Sequence, residues 1–167
     1  MRRLFVAGNW KMTTLRASAG ALASALAREL RAPISGVQVA VCPPFPYLAA
    51  VLQAIEGSAV ELGAQNAYHE PPGAFTGEVA AEMLVDAGCR WVILGHSERR
   101  LILGESDALI NKKVATAIEK GLSVILCVGE TLEQRQAEKT EAVLDSQMSG
   151  SLAGIDAGRM ERIVIAY

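Results

Sequence analysis

Six short runs of apolar, largely β-branched residues alternate with longer segments of helical period, and this alternation constrains the fold more than any other feature. The runs are Leu4–Ala7, Val37–Cys42, Val60–Gly63, Trp91–Leu94, Leu122–Val128 and Ile163–Ala166. Most are too continuous for a strand with one wet face, so they are expected to form buried parallel strands. Five helical candidates lie between them. Leu15–Leu30 carries Leu22, Leu26 and Leu30 on one stripe, and Tyr47–Ile55 carries Leu48, Val51, Leu52 and Ile55. Val79–Ala87 carries Val79, Met83 and Leu84, and Ser106–Lys120 carries Ile110, Val114 and Ile118. Thr131–Met148 opens with a Thr-x-x-Gln capping box, Thr131 to Gln134. Gly57, Gly88 and Gly121 follow three of these segments and read as C-terminal caps.

Strands that alternate with helices imply right-handed crossovers and a parallel sheet. An open doubly wound sheet and a closed barrel both satisfy that pattern. The strand starts at Leu4 and Ile163 bracket five units of about 32 residues, and eight such units come to about 250 residues, the usual size of an eight-fold barrel. Spacing therefore leans to the barrel but leaves the open six-stranded sheet as a rival. No linker, low-complexity stretch or charge run divides residues 1–167, which read as one domain. The longest loop is Ala67–Gly77, containing Pro71-Pro72-Gly73. Connections from strand to helix usually take two to six residues, so its length points to a function.

Composition narrows the partners. Hydrophobic residues make up 51% of the chain but aromatic ones only 5%, so the core is Ala, Val, Leu and Ile. Sixteen basic and eighteen acidic side chains give a net charge of −2 with no polybasic run, which argues against nucleic acid or an anionic membrane as partner. The apolar run after Arg2-Arg3 breaks at Gly8-Asn9-Trp10-Lys11, too soon for a signal peptide, and no stretch approaches the ~20 residues needed to span a bilayer. Cys42, Cys89 and Cys127 have neither disulfide-framework nor metal-ligand spacing. The expectation is a soluble, reduced, cytoplasmic protein without a metal site.

In parallel α/β folds chemistry gathers at the carboxyl ends of the strands. Asn9 and Lys11 follow the first run, Cys42-Pro43-Pro44 the second, Gln65-Asn66 the third, His96 and Glu98 the fourth, and Cys127 and Glu130 the fifth. A cation, several amides, an imidazole and carboxylates would meet on one rim, a layout for holding a small anion and moving protons on it. Each has a plainer reading. Lys11 alone is a solvated charge, Glu98 could pair with Arg99 or Arg100 at the surface, and Cys127 reads as a small buried residue.

Four segments taken together resemble the triosephosphate isomerase family along essentially the whole chain. They are Phe5-Val6-Ala7-Gly8-Asn9-Trp10-Lys11-Met12, Gly63-Ala64-Gln65-Asn66, Trp91-Val92-Ile93-Leu94-Gly95-His96-Ser97-Glu98-Arg99-Arg100 and Cys127-Val128-Gly129-Glu130-Thr131. The resemblance implies an α/β fold of the TIM (β/α)8-barrel type, of which this sequence supplies about five βα units plus a sixth strand. It implies interconversion of dihydroxyacetone phosphate and D-glyceraldehyde 3-phosphate through an enediol, with no cofactor and no metal. Carried over residue by residue, the catalytic set is His96, Lys11 and Glu98, and the substrate-binding pair is Asn9 and Lys11. His96 would be the neutral electrophile that polarises the carbonyl, Lys11 the positive charge for the phosphate and oxyanion, and Glu98 the partner that balances Lys11. Phe75, Thr76 and Gly77 would belong to a loop that reaches a neighbouring subunit, implying a homodimer through Ala67–Gly77. The family pattern continues after Ala166-Tyr167 with a glutamate base, a closing loop and two further strands that cradle the phosphate. None of these lies within the 167 residues, so the chain by itself is expected to be inactive, with a second chain as a candidate source of the C-terminal strands. The alternative is a non-catalytic fragment acting as a self-associating or partner-completed structural module.

Overall fold

A computed structural model describes residues 3–167; Met1 and Arg2, counted above in the N-terminal segment and the domain span, lie outside the described residues. Six strands form one sheet: β1 (Leu4–Asn9), β2 (Val37–Cys42), β3 (Val60–Ala64), β4 (Trp91–Leu94), β5 (Ser123–Cys127) and β6 (Ile163–Ala166). Seven α-helices accompany them: α1 (Arg16–Glu29), α2 (Leu48–Ile55), α3 (Ala81–Asp86), α4 (Ser97–Leu101), α5 (Asp107–Glu119), α6 (Leu132–Gln136) and α7 (Thr140–Ser151). All neighbouring strands are parallel, and their order is β1-β2-β3-β4-β5-β6. A doubly wound sheet reverses its strand order part-way along. This one never reverses, so it is a singly wound piece of a barrel, and the open rival is excluded.

The sheet has two apolar faces, which is why its strands read as continuous runs. On the helix side a large cluster joins Val51, Leu62, Leu84, Val92, Leu94, Ile110, Val114 and Leu126. The other face carries its own cluster of Ala40, Cys42, Trp91, Ile93 and Ile125, with Phe5, Cys127, Val164 and Ala166 packed against it. Phe5 and Trp91 stack there with ring centroids 4.2 Å apart. The expectation of burial fails at the edges. β1 bonds only to β2, and its helix-side residues Leu4 and Val6 are 71% and 57% exposed. Ile165 on β6 is likewise open. Among the described residues, no element covers these side chains, so the expected burial does not hold for them.

Two helical expectations need correction, and one helix was not expected. Thr131–Met148 is two helices, because Glu138 takes a left-handed φ of 55° between α6 and α7. The turn lets Gln147 on α7 clamp both backbone groups of Gly129, accepting from its N–H at 2.8 Å and donating to its carbonyl at 2.9 Å. The short α4 was not expected; at five residues it is below the length at which periodicity speaks. The segment expected to be helical from Val79 is helical only over Ala81–Asp86. Gly57, Gly88 and Gly121 do sit just past helix ends with positive φ. Among the described residues, no helix is long and apolar enough to cross a membrane.

Candidate active site

The turn after β4 builds the centre of the site. Gly95 has φ +69°, and a Cβ there would lie 2.9 Å from an Arg100 nitrogen and 3.0 Å from the Cys127 carbonyl. Only glycine fits this position. The turn delivers His96 to the N-cap of α4, where its Nδ1 accepts from the Glu98 backbone N–H at 3.4 Å. A peptide N–H can only donate, so a neutral ring that accepts this bond carries its proton on Nε2, whereas a proton on Nδ1 would instead face the Glu98 carboxylate. Glu98 also brings Oε2 within 3.2 Å of Nδ1. Arg100 fixes the same turn from below by donating to the Gly95 carbonyl at 2.7 Å and the Cys127 carbonyl at 3.2 Å, while pairing with Asp107.

Lys11 reaches the site from the other side of the sheet. Its ammonium meets Glu98 Oε1 at 2.8 Å. That donation, opposed by slight desolvation and reinforced by the charge of the same ammonium, holds the Glu98 carboxyl below its usual range. Arg99 and Arg100 do not compete for Glu98, as the plainer sequence reading allowed; Arg99 pairs with Glu105 and Arg100 with Asp107. Lys11 itself has φ +50°, a left-handed conformation that costs a non-glycine residue roughly 1–3 kcal/mol and persists only where the surroundings hold it. Asn9 Oδ1 accepts from the Lys11 N–H at 2.9 Å. Gln65 Nε2 donates to the Lys11 carbonyl at 2.8 Å.

A cavity of about 440 Å³ opens among the carboxyl ends of β1, β4, β5 and β6, lined by Asn9, Gly95, His96, Cys127, Glu130 and Tyr167. The structure thus joins Asn9 and His96 on the cavity wall, and links Lys11 to His96 through Glu98 at its rim. Burial pushes the Cys127 thiol up to about 11, offset only in part by Arg100, so it is a protonated lining group rather than a nucleophile. The Glu130 carboxylate accepts from Thr140 and Tyr167 hydroxyls, each at 3.1 Å. Its own backbone N–H leads the causes that hold its carboxyl below the ordinary value, ahead of those hydroxyls. A larger cavity of about 930 Å³ lies near the amino ends of β2 and β3, away from His96 and Lys11. Among the described residues no group of His, Cys, Asp and Glu could hold a metal ion.

The expected intersubunit loop is ordered by its own contacts. The Tyr68 N–H donates to the Val79 carbonyl, closing the loop, and the Phe75 ring lies 4.9 Å from that of Tyr68 while remaining 40% exposed. Thr76 is exposed and Gly77 turns with φ +94°.

One cluster escaped sequence reasoning altogether. Lys113 and Glu105 are 2% and 8% exposed and pair at 2.5 Å, with Arg99 also on Glu105 and Asn66 accepting from Lys113 at 2.9 Å. A signal was present: Lys113 sits on the apolar stripe of α5 with Ile110, Val114 and Ala117, where a lysine without a counterion does not belong. The bonds from Lys113 and Arg99 outweigh a large burial penalty and hold the Glu105 carboxyl below its ordinary range.

The profile of the triosephosphate isomerase family matches residues 4–167. The chain is 52% identical over 167 residues to a triosephosphate isomerase of Rhodopirellula baltica, covering 99% of this chain and 65% of that protein. It is 52% identical over 170 residues to one of Syntrophotalea carbinolica and 52% over 167 residues to one of Carboxydothermus hydrogenoformans, in each case covering 100% of this chain and 66% of the relative. The chain therefore spans about 65% of the length of the curated relatives it matches. With the strand order, the glycine turn and the Lys11–Glu98–His96 linkage, these matches show that the chain belongs to the triosephosphate isomerase family.

Proposed function

We propose that this site serves an isomerase that interconverts dihydroxyacetone phosphate and D-glyceraldehyde 3-phosphate through an enediol. The observation that carries the reading is the Lys11–Glu98–His96 linkage beside the cavity at the strand ends, where a neutral His96 that accepts the Glu98 N–H at Nδ1 offers Nε2–H to a substrate oxygen. Loss of a carbon-bound proton next to a carbonyl places negative charge on that oxygen. A pre-aimed Nε2–H stabilises it, and the Lys11 ammonium adds a positive field for the oxyanion and the phosphate. Asn9 orients Lys11, and Glu98 holds its ammonium extended along the rim. The carbonyl itself acidifies the neighbouring C–H, so the chemistry calls for no cofactor or metal.

Among the described residues, the carboxylate that lines the cavity, Glu130, is engaged by Thr140 and Tyr167, and Glu98 beside His96 is engaged by Lys11. On this reading turnover requires a further base, and the 167-residue chain alone is expected to be inactive. A homodimer through Ala67–Gly77, with Phe75 and Thr76 at its tip and Gly77 at its exit, and a cytoplasmic setting belong to the same proposal. The second reading, a module completed by a partner, is favoured by the unpaired edges of β1 and β6. One experiment separates them: assay isomerisation by the chain alone and after mixing with a family C-terminal segment that carries the base and the last two strands. Recovered turnover that falls about 10²–10⁴-fold with His96→Asn supports the isomerase. Turnover indifferent to His96→Asn overturns it, and association without turnover supports the module.

A further inference from the structure

The left-handed Lys11 is gripped on both sides of its α-carbon. Asn9 Oδ1 takes its N–H, and Gln65 Nε2 donates to its carbonyl. The same Gln65 nitrogen donates to the Cys42 carbonyl at 2.8 Å, so one NH₂ group places its two protons on two carbonyls from the ends of β1 and β2. We infer that Gln65 is a positioning residue for Lys11, holding the turn from which the Lys11 ammonium reaches Glu98. Its functional meaning rests on the isomerase reading of the site.

The geometry asks for a primary amide of this length. Glutamate has the same shape but presents acceptors to two carbonyls. Methionine fills the space without donors. Asparagine keeps the NH₂ group on a stem one carbon shorter, which cannot hold both carbonyls at once. The plainer alternative is that Gln65 only ties two loops together and contributes stability without aiming Lys11.

Glu98 reports the difference, because its surroundings are few. Lys11 and His96 face its carboxylate, while Arg99 and Arg100 on the same helix turn to Glu105 and Asp107. The experiment titrates the Glu98 side-chain carboxyl by carbon NMR in the 167-residue chain and in Gln65→Met, Gln65→Asn and Lys11→Met. Freed of its grip, Lys11 leaves Glu98, so Gln65→Met is expected to raise the Glu98 pKa as far as Lys11→Met does. The double variant should show no further rise, and Gln65→Asn should fall between. A Gln65→Met protein with lowered unfolding midpoint but an unmoved Glu98 titration would overturn the inference. If Gln65→Met does not fold, Gln65→Asn decides by the same criterion. The titration needs no turnover, so absence of turnover after the C-terminal segment is added counts against the proposed activity alone, and an unmoved Glu98 counts against Gln65 alone.

Discussion

Glu105 and Lys113 show how much a single buried charge can decide. Removing Glu105 leaves the buried Lys113 ammonium without a counterion and with only Asn66 to accept from it, whereas removing both charges leaves Arg99, which is partly exposed and can turn to water. Glu105→Gln is therefore expected to lower unfolding free energy by about 3–5 kcal/mol in urea titrations, and the double variant Glu105→Leu/Lys113→Met to recover most of that loss. The same residue sets an acid limit. Its folded carboxyl lies below the ordinary value of 4.5, so its contribution is present above the unfolded pKa and is lost as pH falls through the folded one. Stability followed by fluorescence should drop below pH 4.5, the ordinary carboxylate value, and that drop should flatten in Glu105→Gln. A steep acid limb retained in the variant would assign the loss to other carboxylates.

Short elements here depend on their caps. α6 is five residues long and is closed at its start by Thr131, whose hydroxyl accepts from the Gln134 N–H while the Gln134 side chain accepts from the Thr131 N–H. Thr131→Ala is expected to cost about 1 kcal/mol, read from the denaturation midpoint. That cap was legible in the sequence, as were β2, β4 and β6 to the residue, because both faces of those strands are apolar and turn residues bound them. The break at Glu138 was not. Its left-handed backbone is set by where Gln147 must reach on Gly129, a contact the local pattern does not contain. The same limit divides the site. His96, Lys11, Asn9 and Gln65 could be picked out as polar residues at strand ends, whereas what Gln65 and Arg100 bind, carbonyls 54 and 27 residues away, has no local mark.

At the scale of the 167-residue chain, association is expected at the sheet edges. Among the described residues β1 and β6 each bond on one side only, beside exposed Leu4, Val6 and Ile165, and such an edge is a template for pairing with other chains. Val6→Lys combined with Ile165→Lys is expected to reduce light scattering in concentrated samples of the 167-residue chain while leaving its unfolding midpoint nearly unchanged. Equal scattering in the variant would place the sticky surface elsewhere. The unreversed strand order also has a consequence in time. Each strand docks on the one synthesised just before it, so the sheet can grow from the ribosome one unit after another without waiting for distant partners. The Lys11–Glu98 contact is different, because 87 residues separate its halves. At bacterial or eukaryotic translation speeds that interval is roughly 4–17 s, during which Lys11 has no Glu98 carboxylate to meet.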